Sequence, residues 1–420
     1  MEIIRGYRYR LKPTKSQAEE LASFCGVCRL IWNLALEQRQ TFGRAHRISG
    51  YDQIRELKDL RAEFDWIRSV SQTAQTQTLM DLDKAFSNFF SGRSGFPRYR
   101  RKNQHDAFRV MGREVSVRQL NRRWSEIRIP KIGWIRFRDS RKRDGDICSV
   151  TVSRDVDGWT VSIACKFRRS VPTAAVSDAS VGIDRGVATA LTLSNGDTYH
   201  LPASLEAVDK KHRRAQRAAA RKTRGSNRHR RALRRAARLK ARAARIRRHW
   251  QHETTTDIAR RYSLVAVEAL KTRNMTRSAK GTAAAPGKNV RAKSGLNRSI
   301  LNVGWAEIAR QLDYKLKERG GDLISVDPRY TSQCCADCGA IDPKSRKSQA
   351  RFICTSCGHE AHADVNAAIN ILERALSTAS EHGVDARVRG SIGCPDDPRT
   401  IAPHQLNGNE NPRPSGRGRC

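Results

Sequence analysis

Residues 331–368 read TSQCCADCGAIDPKSRKSQARFICTSCGHEAHADVNAA and contain two Cys-x-x-Cys pairs. The pairs are Cys335 with Cys338 and Cys354 with Cys357, and fifteen residues separate them. Each pair turns the backbone tightly enough to aim two sulfurs at one point, so two pairs complete the tetrahedron that zinc accepts. Four unrelated thiols or disulfides are the alternative, but nothing else in the sequence indicates an oxidising compartment. The spacing therefore predicts one structural Zn²⁺ in a four-cysteine ribbon.

A short distance beyond the second pair, Asp364 opens the segment DVNAAINILERAL. Apolar residues recur there at helical spacing, which predicts an amphipathic helix with Asp364 at or near its N-terminus. The predicted apolar stripe consists of Val365, Ala368, Ile369, Leu372 and Leu376. Taken alone, Asp364 is explained by the preference for Asp at a helix N-cap, and a role as a metal ligand needs support from elsewhere in the chain.

Charge and cysteine content narrow the class of protein. The 420 residues carry a formal net charge of +39, from 81 Lys and Arg against 42 Asp and Glu. Such an excess points to a polyanionic partner, by default nucleic acid. The chain has no apolar run of spanning length, and its N-terminus lacks the apolar core of a signal peptide. With eleven cysteines, four of them assigned to zinc, we expect a reduced, cytoplasmic and nucleoid-associated protein without a membrane partner.

The first 172 residues combine a helical segment with short β-rich runs. Alternation over 2–12 predicts a strand, and the segment 14–91 predicts several helices inserted before a small β-barrel or curved sheet over 92–172. Within the first helix, Cys25-x-x-Cys28 falls on the apolar stripe and is interpreted as core packing rather than metal binding. The candidate nucleic-acid contacts in this part are two glutamines on a polar helix face and two arginines in a basic loop. They are Gln72, Gln75, Arg98 and Arg100. For the glutamines, the alternative is that they simply form a solvated helix face.

Two further acids lie at the ends of apolar strands. VGID ends in Asp184 and is followed by a predicted hairpin with a turn at Asn195-Gly196, which is how an RNase H-type fold opens. YSLVAVEAL contains a strand that ends in Glu268. We expect a linker over 171–180, a flexible loop over 274–298, one helix over 299–319 and a disordered tail from 377.

The segment 210–248 is the densest run of charge and contains no acidic residue. Its Ala, Leu and Arg content predicts two helices with a break at Gly225-Ser226. A solvated helix face normally mixes both signs of charge, so a phosphate backbone is the favoured partner. The candidate contacts are Arg221, Arg224, Arg231 and Arg235.

Asp184, Glu268 and Asp364 then form a set, because two end strands and one begins a helix. Two-metal phosphodiester hydrolysis needs several carboxylates that converge on two cations roughly 3.5–4 Å apart. Hard Mg²⁺ prefers oxygen ligands of this kind, with Mn²⁺ as a substitute. The three acids are therefore the predicted catalytic residues and magnesium ligands.

The chain resembles the TnpB family of transposon-encoded RNA-guided nucleases, which are relatives of compact Cas12 effectors. The similarity lies in a series of motifs in the family's order between about residues 3 and 376. They include YRYRLKPTKSQ, DLDKAFSNFFSGRSGFPRYRRK, VGIDRGVATALTLSNG, VAVEALKTRNMTRS, VDPRYTSQCCADCG, FICTSCG and HADVNAAINIL.

The resemblance implies an α+β multidomain protein that cuts double-stranded DNA beside a short flanking motif, directed by a guide RNA. It implies a RuvC nuclease domain with an RNase H-like fold that uses the three acids and two Mg²⁺ ions, and a zinc ribbon that binds the target. The implied parts are a wedge-like β-barrel (1–13 and 92–172), a helical recognition lobe (14–91), the RuvC domain (178–332 and 361–376, with a basic segment 207–250), the ribbon (333–360) and the tail (377–420).

Two positions depart from the family's pattern. His362 stands where an Asp is frequent, which affects a contact behind Asp364 rather than the catalytic acid. Cys334 precedes Cys335 and could exchange with it on zinc, although only Cys335 forms a Cys-x-x-Cys pair with Cys338. Other functions left open by the residues are a Cas12-type CRISPR effector, an RNA-guided DNA-binding regulator with weak cleavage, and an unguided nuclease or transposase accessory.

Overall fold

The structure is a computed structural model that describes residues 2–43, 48–168 and 179–381. Most of the predicted linker 171–180 and nearly all of the predicted tail 377–420 lie outside these ranges. Within them, no helix is long and apolar enough to cross a membrane.

Residues 2–168, as far as they are described, form an antiparallel sheet and a group of helices. The strands are β1 (Glu2–Lys12), β2 (Ala107–Met111), β3 (Ser116–Asn121), β4 (Trp124–Ile129), β5 (Gly133–Arg138), β6 (Asp146–Asp155) and β7 (Gly158–Arg168). The helices are α1 (Lys15–Phe42), α2 (Gly50–Glu63), α3 (Asp65–Arg68) and α4 (Gln72–Phe90).

Strand β1 organises this sheet because it pairs on both sides, with β7 over most of its length and with β5 at its end. The strand order is β2-β6-β7-β1-β5-β4-β3. Tyr7, Tyr9 and Leu11 alternate along β1 and are buried, which explains the period-2 pattern in the sequence. The predicted participation of the N-terminal strand is confirmed. The pairing order leaves β2 and β3 at its two ends, so the closed wedge-like barrel stays a prediction.

The helices α1 to α4 lie in the chain between β1 and β2 and share one core with the sheet. Helix α1 begins with a capping box, in which the Thr14 hydroxyl accepts from the Gln17 backbone N–H and the Gln17 side chain accepts from the Thr14 N–H. Cys25 and Cys28 are both buried on α1, and the Cys28 thiol donates to the Ala74 carbonyl. Their interpretation as core residues is confirmed.

The second half of the described chain contains a mixed sheet, several helices and a small ribbon. Its strands are β8 (Ser180–Asp184), β9 (Leu191–Leu193), β10 (Thr198–Tyr199), β11 (Leu264–Glu268), β12 (Asp322–Val326), β13 (Arg351–Ile353) and β14 (Glu360–His362). Its helices are α5 (Ala203–Ala220), α6 (Asn227–Arg261), α7 (Thr272–Met275), α8 (Val290–Val303), α9 (Trp305–Lys317) and α10 (Ala363–Glu381). The predicted break between the two basic helices is confirmed, since Gly225 has φ +85° and Ser226 caps α6.

The five-stranded sheet has the order β10-β9-β8-β11-β12, with β8, β11 and β12 parallel and β9 antiparallel to β8. Helices cover both faces, so β11 is buried on both sides and reads as a continuous apolar run. Val265 and Val267 pack toward α6 and α9, whereas Ala266 packs against Ile371 of α10.

Helix α10 approaches the sheet closely because Gly182 of β8 has no side chain. A Cβ at this position would lie 2.0 Å from the Ala368 carbonyl oxygen. The helix therefore rests directly on the backbone of β8. Its buried face includes Ala363, Ala367, Ala368, Ile371 and Ala375. The predicted stripe was wrong at Leu376, which is 40% exposed, since the close contact selects the alanine-rich face.

The prediction of one helix over 299–319, preceded by a loop over 274–298, was wrong. Helix α8 already begins at Val290, and Gly304 separates it from α9 with a left-handed backbone, φ +74°. The Gln251 side chain of α6 donates to the Val303 carbonyl at 2.7 Å and so binds the end of α8. Because the apolar pattern continues across Gly304, the sequence predicted one continuous helix instead of two.

Candidate active site and four-cysteine cluster

The pairing of β8 and β11 brings Asp184 and Glu268 to the same edge of the sheet. The strands are parallel and Ile183 pairs with Val267, so each acid is the residue that follows this pair. Neighbouring strands lie about 4.8 Å apart, which makes the two acids direct neighbours.

Both acids also point to the face covered by α10. Side chains two residues apart share a face of a strand; Gly182 and Ala266 both contact α10, so Asp184 and Glu268 point the same way. Asp364 lies in the first turn of α10. The fold thus gathers three carboxyl groups from two strand ends and one helix start.

The electrostatics of Asp184 reflect this crowding. Burial, followed by the negative charges of Glu268 and Asp364, raises the pKa of the Asp184 carboxyl to about 7, and Arg346 opposes this rise. A charged carboxylate is costly in such a place unless a cation compensates it. The hard oxygen donors and their mutual repulsion fit Mg²⁺ or Mn²⁺, and metal binding by these residues stays a prediction.

Three residues beside the acids were not singled out from the sequence. The Thr331 hydroxyl donates to Glu268 Oε1 at 2.6 Å, and Arg346 Nη2 donates to Asp364 Oδ1 at 3.1 Å. Arg185 is buried and donates to the backbone carbonyls of Glu268 and Trp305, which ties β8, β11 and α9 together. Because the chain has 81 Lys and Arg, the sequence alone does not distinguish Arg185 or Arg346 from the other basic residues.

His362 has a definite role at the position where it departs from the family's pattern. Its Nδ1 accepts a hydrogen bond of 3.3 Å from the Asp364 backbone N–H. The imidazole therefore caps the start of α10 as the carboxylate of an Asp would.

The four predicted zinc ligands converge. The sulfurs of Cys335, Cys338, Cys354 and Cys357 all lie within 4.8 Å of one another. Cys335 and Cys357 are 3.7 Å apart, and Cys338 and Cys354 are 3.6 Å apart. Four sulfurs at about 2.3 Å from one zinc ion would be separated by roughly 3.8 Å, so the cluster can hold one tetrahedral zinc.

Backbone N–H groups favour the thiolate form of one cysteine in the cluster. The N–H groups of Ser356 and Cys357 donate to Cys354 Sγ, which lowers the pKa of that thiol to about 6. Cys334 is different, because its thiol points to the carbonyls of Cys335 and Gly339. This geometry supports Cys335 rather than Cys334 as the ligand.

Helix α10 holds the cysteine cluster beside the acids. The Asn366 side chain accepts from the Ala336 N–H and donates to the Cys334 carbonyl. The Asn370 side chain donates to the carbonyls of Thr331 and Cys334. Both asparagines are buried, so their loss would leave unpaired polar groups. The helix that carries Asp364 is thereby tied to the first cysteine pair.

The two candidate glutamines differ in accessibility. Gln75 is fully buried, and its amide donates to the Ile67 carbonyl and accepts from Arg61. Its prediction as a nucleic-acid contact was therefore wrong, because a buried amide with both groups bonded cannot reach a base. Gln72 is exposed and lines a groove of about 1030 Å³ together with Gln77, Arg113 and Arg128.

The two loop arginines also differ. Arg98 is exposed, whereas the Arg100 guanidinium lies 3.7 Å from the centre of the Trp32 ring. Burial lowers the pKa of Arg100, and its backbone is bonded to Asn33. Arg100 is thus largely a packing residue, whereas Arg98 stays a candidate nucleic-acid contact.

The candidates on the basic helices are accessible. Arg221, Arg224, Arg231 and Arg235 are all exposed. Five of the six residues that line a cleft of about 500 Å³ along α5 and α6 are Lys or Arg. Arg245 of α6 donates to Asp157 in the β6–β7 turn at 2.6 Å, so this hairpin of helices is fixed to the N-terminal sheet.

Three family profiles match separate parts of the chain. They are described as a helix-turn-helix domain (residues 1–42), a "Probable transposase" (159–279) and the TNB domain of Cas12f1-like proteins (305–371). In the structure, the first of these regions is β1 followed by the single long helix α1.

Curated relatives cover almost the whole chain. The "Putative RNA-guided DNA endonuclease InsQ" of Escherichia coli (strain K12) is 40% identical over 377 residues, which span 89% of this chain and 92% of the relative. A protein of Streptomyces pristinaespiralis described as a "Putative RNA-guided DNA endonuclease" is 30% identical over 90% of this chain and 91% of its own length. The CRISPR-associated endodeoxyribonuclease Cas12f1 of Sulfoacidibacillus thermotolerans is 45% identical over 75 residues, 18% of each chain.

Among solved structures, a cryo-EM structure of a Cas12f1-sgRNA-target DNA complex is similar with a TM-score of 0.54 and 16% identity, over 85% of this chain and 83% of the other. This likeness supports the α+β multidomain architecture. The profile matches and the relative that is 40% identical over 89% of this chain show that the chain belongs to the TnpB (OrfB) family of IS605-type transposon proteins, which is related to Cas12f.

Proposed function

We propose that this protein is an RNA-guided DNA endonuclease that cuts double-stranded DNA beside a short flanking motif and acts in the nucleoid. The observation that carries the proposal is the convergence of Asp184, Glu268 and Asp364 at one edge of the mixed sheet. The names of the full-length relatives support the guided reaction.

The sheet topology supports a RuvC-type nuclease. A sheet in which β8 ends in an acid and is followed by the antiparallel β9 agrees with the opening expected of an RNase H-like fold. The parallel strands β8 and β11 lie side by side and end in Asp184 and Glu268.

The residues around the acids have assignable roles. Asp184, Glu268 and Asp364 would hold two Mg²⁺ ions, which when bound supply an activated water and stabilise the leaving oxygen. Thr331 fixes the orientation of the Glu268 carboxylate, and Arg185 fixes the separation of the two strand ends. Arg346 places a positive charge at the mouth of the site, where it can meet a phosphate oxygen of the scissile strand.

Nucleic acid would be bound by charge and by one specific groove. The exposed arginines of α5 and α6 suit the backbone of the guide RNA or its heteroduplex with DNA, because a guide delegates sequence reading to base pairing. The groove beside α4 combines exposed Gln72 with Arg113 and Arg128, which suits the duplex that carries the flanking motif. The zinc ribbon would hold the strand to be cut near Asp364.

The proposal is tested by the nucleic acid that the protein retains. The gene is expressed with its native flanking DNA, the protein is purified in high salt, and the bound RNA is sequenced. One discrete RNA that ends in sequence from outside the gene supports guided action. Heterogeneous RNA that salt removes would contradict it, because a charge of +39 binds any polyanion.

A further inference from the structure

An exposed aromatic residue directly precedes a residue that contacts the acid site. Tyr330 is 57% exposed, and the next residue, Thr331, is buried and bonded to Glu268. With more than half of its surface in solvent, this aromatic residue contributes little to the core.

The backbone conformation of Tyr330 is unusual for an aromatic residue. Its φ is +62°, in the left-handed region that glycine or asparagine normally fills. An aromatic residue is energetically unfavourable in this conformation. Folding therefore favours a different residue at this position, and strained residues of this kind cluster at functional sites.

The surrounding loop is held rigidly. The carbonyl of Tyr330 accepts from the N–H groups of Gln333 and Cys334 at 3.0 and 2.9 Å. On one side, the Arg329 carbonyl accepts from Arg374 of α10, and on the other the Thr331 carbonyl accepts from Asn370. The ring is thus presented on a fixed support rather than on a mobile loop.

We propose that Tyr330 is a stacking platform for a base of the DNA strand that enters the acid site. The inference rests on the proposed function and names a positioning residue for the same reaction. A nucleobase next to the scissile phosphate would lie on the exposed ring, while Arg346, which donates to Asp364, would meet the phosphate. Stacking on an aromatic ring tolerates any base, as a guided nuclease requires.

The test compares Tyr330→Ala, Tyr330→Phe and Tyr330→Trp in the full-length, guide-loaded protein. Target duplex is bound first without metal, and cleavage is then started with Mg²⁺, so that binding and cleavage are measured separately. Loss of one stacked base corresponds to roughly 5- to 150-fold. We expect Tyr330→Ala to cut at least tenfold more slowly, Tyr330→Phe and Tyr330→Trp to stay within about threefold, and target binding to be unchanged.

Tyr51→Ala is the matched control, because Tyr51 is 70% exposed on α2 in the N-terminal half. It should cut like the unmodified protein. Unchanged cleavage by Tyr330→Ala, or an equal loss in Tyr330→Phe, would overturn the stacking role. If instead Asp184→Ala still cut the target, the proposed active site itself would fail, and the two results are distinct.

Discussion

Arg346 Nη2 lies 3.1 Å from Asp364 Oδ1, and this contact joins the four-cysteine ribbon to the acid site. Arg346 belongs to the segment between the two cysteine pairs, whereas Asp364 begins the helix that closes over the sheet. Together with the bonds from Asn366 and Asn370 to the backbone around the first cysteine pair, the Arg346 contact makes the four cysteines and the carboxylates one structural unit.

The first prediction concerns this contact. Replacing Arg346 by Ala removes a charged hydrogen bond, which typically contributes about 1.5–3 kcal/mol, so we expect Mg²⁺-started cleavage to slow by roughly 10- to 150-fold while target binding is kept. Arg351→Ala is the control, since Arg351 pairs with Glu360 at the surface and such pairs contribute little. Equal rates for the two variants would remove Arg346 from the site.

Zinc removal should affect the ribbon and the nuclease together. Cys354→Ser takes away one of four converging sulfurs, and structural zinc sites contribute on the order of 10 kcal/mol to the folding of small modules. We expect less than one zinc per chain, faster hydrogen exchange over residues 331–378 and a loss of cleavage.

Cys334→Ser provides the comparison for that experiment, because the Cys334 thiol points to backbone carbonyls outside the cluster. It should keep one zinc ion and full activity. Zinc loss in Cys334→Ser would contradict the assignment of Cys335 rather than Cys334 as the ligand.

The close packing of α10 on β8 predicts an intolerance at Gly182. Alanine there would bring its Cβ to 2.0 Å from a backbone oxygen of α10, so the helix must shift. Overpacking of this kind costs about 1–3 kcal/mol or more, and it displaces Asp364 at the same time. We expect Gly182→Ala to lower both the free energy of unfolding, measured with denaturant, and the rate of cleavage. Gly6→Ala in β1 is the control, because its Cβ meets only Ser162 Oγ, at 3.8 Å, and we expect it to be as stable as the unmodified protein.

Metal binding should release a proton below neutral pH. The raised pKa of Asp184, about 7, means that its carboxyl is protonated near pH 6 in the metal-free protein, whereas an unfolded Asp would already be ionised. A bound cation needs the ionised form, so Mg²⁺ displaces about one proton near pH 6 and almost none above about pH 8. Titration calorimetry in buffers of different ionisation enthalpy measures this number, and Asp184→Asn should abolish it.

The sequence was informative where a local pattern determines the structure. Strand β8, strand β11 and the start of α10 were predicted closely, because apolar runs and a cap residue specify them. The cysteine spacing likewise predicted the convergence of four sulfurs.

Long-range contacts were not predictable in the same way. Nothing local distinguishes Gln75, which is bonded to Arg61 inside the core, from an exposed glutamine such as Gln72. Arg346 reaches Asp364 only in the folded chain, and Arg185, although it follows Asp184 in the sequence, contacts the Glu268 carbonyl only there. The turn at Gly304 depends on a contact with Gln251, a residue more than fifty positions earlier.

The most direct measurement is cleavage of a plasmid by the guide-loaded protein. The plasmid carries the sequence complementary to the copurified RNA, and the unmodified protein is compared with Asp184→Ala and with a plasmid that lacks the match. We predict cutting of the matched plasmid in Mg²⁺, no cutting of the unmatched plasmid, and no cutting by Asp184→Ala although it still binds RNA and target. Cleavage by Asp184→Ala, or equal cleavage of both plasmids, would contradict an RNA-guided nuclease with its active site at Asp184.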